Sequence, residues 1–108
     1  NDTMRGHVRV FDVNADGTIS NSRVWAELKG DREGPADGMK IDSQGNLCTT
    51  GPGGIHYFGA DGTSLGVIYT PEAASNFTWG DVDLRSMFIT AGTSLYRVRV
   101  NVPGRKVF

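Results

Sequence analysis

The chain has 108 residues, a formal net charge of −1 and a single cysteine, Cys48, with 38% hydrophobic and 21% charged residues. That length supports one small domain with a modest core. The even mix of charges excludes the basic stripe of a nucleic-acid binder. No apolar run approaches the roughly 20 residues of a membrane span, and a lone cysteine excludes an internal disulfide and a cysteine-built zinc site. Neither nucleic acid nor membrane is therefore an expected partner. No signal-like apolar region follows Asn1, so a cytoplasmic setting is expected, with the periplasm and secretion left open.

In chain order, His7 to Val13 alternates apolar and polar residues and predicts a strand. Asn14-Ala15-Asp16-Gly17-Thr18 predicts a hairpin turn, because Asp-Gly tolerates the positive φ such turns need. A second strand is expected within Ile19 to Leu28, then a charged loop from Lys29 to Glu33. Further strands are expected at Met39–Asp42, Asn46–Thr50, Ile55–Phe58 and Ser64–Tyr69, separated by Ser43-Gln44-Gly45, Gly51-Pro52-Gly53-Gly54 and Gly59-Ala60-Asp61-Gly62. The last three fall at Asn76–Gly80, Ser86–Thr90 and Ser94–Val100. The fifteen glycines punctuate short apolar runs and leave no convincing helical period, so the fold class is all-β.

The pattern repeats. Val10-Phe11 followed by Asp16-Gly17-Thr18 returns as Tyr57-Phe58 followed by Asp61-Gly62-Thr63, and Met39 to Ile55 is echoed by Phe77 to Leu95. A period of roughly 40 to 45 residues with four strands per unit marks a β-propeller blade; a β-sandwich of similar strand number is the runner-up. Residues 1–33 then hold the two outer strands of one blade, 34–71 a complete blade, and 72–108 the C-terminal blade. Two and a half blades cannot close a ring, so the chain is expected to be a piece of a propeller, completed by the remainder of the protein or by another chain. Met39, Ile41, Phe77 and Trp79 are expected in packed blade interfaces.

Several motifs carry chemistry or imitate it. Asp37 lies between Pro35 and Gly38 just before a strand. A carboxylate there is held by the sheet without being consumed by it, where β-rich enzymes place metal ligands and bases, although a loop Asp between Pro and Gly is more often a turn residue. Ser75 and Asn76 stand at the corresponding place one repeat later. By repeat position they face the channel and contact substrate; the bland alternative is a polar start to a strand. Asp12 to Ser20 imitates a calcium loop, but Arg23 occupies the position of the bidentate Glu and strands flank it, so it reads as a turn. His7 and His56 have no partner at metal spacing.

The stretch Gly34-Pro35-Ala36-Asp37-Gly38-Met39-Lys40-Ile41-Asp42, running into Ser43-Gln44-Gly45-Asn46-Leu47, resembles the PDGM-x-ID-x-x-GNL segment of the gluconolactonase and regucalcin (senescence marker protein) family. Gly53 to Phe58 resembles that family's next strand. Trp79-Gly80, Leu84, Phe88 to Ala91 and Ser94 to Arg97 resemble its C-terminal blade. The resemblance implies a six-bladed propeller that hydrolyses sugar lactones with one divalent metal in its central channel, Ca²⁺ foremost, with Zn²⁺, Mg²⁺ or Mn²⁺ as alternatives. This chain would be the C-terminal third to half. It implies Asp37 as a metal ligand and catalytic residue, the remaining protein ligands lying before Asn1. Ala36 departs from the family, which usually has Pro there. Two rival readings keep the fold: a non-catalytic binding or assembly piece, and a related propeller esterase or phosphotriesterase.

Overall fold

The computed structural model describes residues 1–106; Val107 and Phe108, the end of the expected third unit, lie outside the described residues. Nine strands follow one another: β1 (His7–Val13), β2 (Ile19–Glu27), β3 (Met39–Ile41), β4 (Leu47–Gly51), β5 (Gly54–Phe58), β6 (Ser64–Tyr69), β7 (Ala74–Gly80), β8 (Ser86–Ala91) and β9 (Ser94–Arg99). All pairing between them is antiparallel and sequential, in a β1-β2 hairpin, a β3-β4-β5-β6 sheet and a β7-β8-β9 sheet. The described residues contain no helix, and hence none long and apolar enough to cross a membrane.

Each turn is built by the residue types that announced it. Asp16 accepts hydrogen bonds from the Thr18 N–H and hydroxyl, and Asp61 does the same for Thr63. The loop that imitates a calcium site is therefore a self-satisfied Asx turn. Asp42 closes the β3-β4 turn from a buried position. Its carboxylate accepts from the Gln44 and Asn46 N–H groups and the Asn46 amide, so no buried oxygen is left without a partner.

Alternation places the core between sheets. In β8, Met87, Ile89 and Ala91 turn toward the middle sheet and pack with Phe77, Cys48 and Ile55 in one buried cluster. Val8, Ala26, Leu28, Ala36, Leu47 and Phe58 form a second cluster between the β1-β2 hairpin and the middle sheet. Each large apolar side chain buried this way is worth about 1.5–3 kcal/mol. Phe77, 3% exposed, and Trp79, edge-on to it at 5.6 Å, occupy the expected interface. Met39 and Ile41 do not: they are 43% and 38% exposed. Both point away from the third sheet into a groove beside Val8, Val10 and Trp25, and the described residues do not fill it.

After β9 the chain crosses back to the middle sheet. Gly104 bridges to Asp42, the Ser43 N–H donates to the Pro103 carbonyl (3.0 Å), and the Gly104 N–H donates to the Leu84 carbonyl (2.9 Å). Gly104 lies so close to the Trp79 indole that a Cβ there would sit 2.3 Å from the ring.

Candidate active site

The first strands of the two larger sheets, β3 and β7, lie side by side, and the loops that open them share one rim. The loop before β3 is fixed by its backbone. The Asp37 N–H donates to Thr50 Oγ1 (2.8 Å), the Asp37 carbonyl accepts from the Asn1 side-chain amide (3.0 Å), and Ala36, buried in the second cluster, offers its carbonyl to the Thr3 hydroxyl. Ala36, which departs from the family's usual Pro, thus anchors the loop by burial. Gly38 ties the two openings together. Its N–H donates to the Ser75 carbonyl and its carbonyl accepts from the Thr50 N–H, both at 2.9 Å.

The structure therefore brings Asp37, Ser75 and Asn76 to one place. Ser75 Oγ lies 3.0 Å from Thr90 Oγ1. Asn76 Oδ1 accepts from its neighbour's Phe77 N–H and from Lys40 Nζ, each at 2.9 Å, which fixes the amide and leaves its NH₂ without a partner among the described residues. The Asp37 side chain is exposed, and its carboxylate accepts no hydrogen bond and joins no ion pair among the described residues. A turn-stabilising Asp would use its carboxylate as Asp16, Asp42 and Asp61 do. Asp37 instead has a clamped backbone and two free oxygens.

Asn1, Lys40, Thr49 and Thr50 belong to the same neighbourhood, and sequence reasoning missed them. Asn1 is 36 positions from Asp37 and Lys40 is 36 from Asn76, contacts made by the packing of the N-terminal end on the loop before β3 and of β3 beside β7 in the next sheet; Thr49, paired with Met39, was the only available signal. Among the described residues no three His, Cys, Asp or Glu side chains cluster as a metal cage. Cys48 offers no alternative chemistry, since burial pushes its thiol up to about 12 and keeps it protonated at neutral pH.

Stacked antiparallel sheets with their first strands lying side by side and a polar rim at the openings of those strands define a portion of a β-propeller. The chain belongs to the SMP-30/gluconolactonase/LRE-like family, whose profile matches residues 1–93. It is 41% identical over 73 residues to the gluconolactonase of Zymomonas mobilis, covering 66% of this chain and 20% of that protein. It is 31% identical over 105 residues to lactonohydrolase oryH of Aspergillus oryzae, covering 96% and 22%. It is 39% identical over 54 residues to the diisopropyl-fluorophosphatase of Loligo vulgaris, covering 48% and 17%. Among solved structures, a candidate gluconolactonase superposes with a TM-score of 0.84 at 27% identity, over 97% of this chain and 35% of that one. A gluconolactonase from Xanthomonas campestris does so with 0.72 at 32% identity, over 90% and 30%. The chain spans about a fifth of the length of the curated relatives it matches.

Proposed function

We propose that the protein carrying this chain hydrolyses sugar lactones with the help of one divalent metal, and that Asp37 is one of the metal's ligands. The observation that carries the reading is the free carboxylate of Asp37 on a clamped backbone, in a family whose curated relatives include a gluconolactonase and a lactonohydrolase. Carboxylate oxygen suits a hard cation, Ca²⁺ first and Mg²⁺ or Mn²⁺ next, and also serves Zn²⁺. The residues fit such an ion in part: they offer one free carboxylate beside neutral amides and hydroxyls, and the other protein ligands would come from the remainder of the propeller.

When bound, the metal supplies Lewis acidity toward a lactone carbonyl and toward water. The chain's own residues do the rest. Asp37, held at its N–H and carbonyl, presents an acceptor for the proton of the attacking water without having to reorganise. Asn76, its Oδ1 already engaged, offers its NH₂ to a sugar hydroxyl, and the Ser75 hydroxyl stands beside it. These two orient the ring, so that ring opening leaves a carboxylate and a free hydroxyl in place of the lactone.

Asp37→Ala in the complete protein tests this. Turnover of D-glucono-δ-lactone should fall by orders of magnitude while the melting temperature barely moves, and chelation should abolish wild-type activity. A mutant with wild-type turnover and a lowered melting point would remove Asp37 from the chemistry. The match to a diisopropyl-fluorophosphatase favours a second reading, the same rim acting on a phosphotriester. Parallel assays with an organophosphate discriminate it. No turnover of either class would leave the binding or assembly role.

A further inference from the structure

We propose that the pocket between β3, β7 and the C-terminal tail is a binding site for a small oxyanion, a carboxylate or phosphate on a compact body. The pocket has a volume of about 370 Å³, and its lining includes Lys40, Arg105, Lys106, Trp79, Ile41 and Leu84, with no Asp or Glu. Of the eleven lysines and arginines of the chain, Arg5, Arg23, Lys29, Arg97 and Arg99 pair with carboxylates. Lys40, Arg105 and Lys106 are among the six that do not do so among the described residues, so this pocket gathers half of the uncompensated positive charge. Cations of one sign around an apolar floor focus potential into the pocket and raise the local concentration of anions.

Trp79 lines the floor with its ring, and its indole N–H is buried out of a ligand's reach, so polar contacts to a ligand fall to the cations. An oxyanion is the acceptor that ammonium and guanidinium groups select. The Trp79 and Leu84 surfaces would take the ligand's apolar atoms. Lys40 connects the pocket to the rim described above, since its ammonium bonds Asn76. The site does not depend on the role of Asp37.

The test uses the 108-residue chain carrying Trp25→Phe, so that Trp79 is the only tryptophan. Its emission is followed while sodium phosphate or sodium gluconate is added at constant ionic strength to protein stripped of metal on a chelating resin, with sodium chloride as the blank. Metal removal silences any ion at Asp37, so a failure here and a failure of the lactonase reading are separable. A saturable change with at least one of the two oxyanions is expected, and which one responds identifies the source of the anion. Arg105→Gln with Lys106→Gln should weaken binding about tenfold or more, as the loss of one or two charge-assisted bonds implies, with an unchanged circular dichroism spectrum because both residues are exposed. Absence of a saturable change, an equal response to chloride, or an undiminished affinity in the double variant would overturn the proposal.

Discussion

Gly38 shows how much of the candidate site rests on a missing side chain. Its N–H and carbonyl join the opening of β7 to the end of β4, and the space a Cβ would need is already taken, 2.6 Å from Asn76 Oδ1 and 2.9 Å from Asn76 Cα. Gly38→Ala must push Asn76 aside, and overpacking of this kind costs about 1–3 kcal/mol. Because Asn76 bonds Lys40, the variant should also lose turnover in the complete protein by more than its stability loss explains. Chemical denaturation and lactone assays on the same preparation check this. The adjacency of Asp37, Ser75 and Asn76 was legible in the sequence because the internal repeat aligns the openings of successive blades. The contacts of Asn1, Lys40 and Thr50 were not, because the packing of distant segments and neighbouring sheets decides which polar neighbours reach them, and no local pattern encodes it.

At the scale of strands and turns, Glu72 locks the β8-β9 turn to the loop before β7. Its carboxyl is held down to about 2, first by the Thr93 N–H and then by the hydroxyls of Ser94, Tyr96 and Thr93. A folded pKa below the unfolded value near 4.3 means the stabilisation is fully present above that value. It is then lost as the pH falls through the folded value. Urea midpoints should therefore drop from pH 5 toward pH 2 in the wild type, and the drop should be smaller in Glu72→Gln, which is weaker at neutral pH. All nine strands stood close to where alternation and Asp-Gly turns put them, since both signals are local. The burial of Met39 and Ile41 was misjudged because alternation reveals which face a residue occupies but not whether another element covers it. Met39→Ala in this chain should accordingly cost less than about 1 kcal/mol in chemical denaturation, well short of the 2–5 kcal/mol of a core methionine.

For the molecule as a whole, the groove beneath Met39 and Ile41 and the single free carboxylate at the rim are two aspects of one incompleteness. The groove, about 360 Å³, is lined by Val8, Val10, Trp25 and Leu47 among others. Among the described residues the rim offers one free carboxylate, where a tight Ca²⁺ site takes six to eight oxygens. Calorimetric titration of this chain alone with Ca²⁺ or Zn²⁺ should thus show weak binding or none, and submicromolar affinity would reveal a complete site within these residues. The tail after β9 has a different consequence. By bonding Ser43 and Leu84 through Pro103 and Gly104, it straps the third sheet to the middle one across their shared interface. Tension applied from the C-terminal end is borne by this strap before it reaches the β8-β9 ladder. Peeling of the third sheet from its outer edge would first have to break these bonds. Gly104, whose missing Cβ lets the strap lie against the Trp79 indole, sits on that load path.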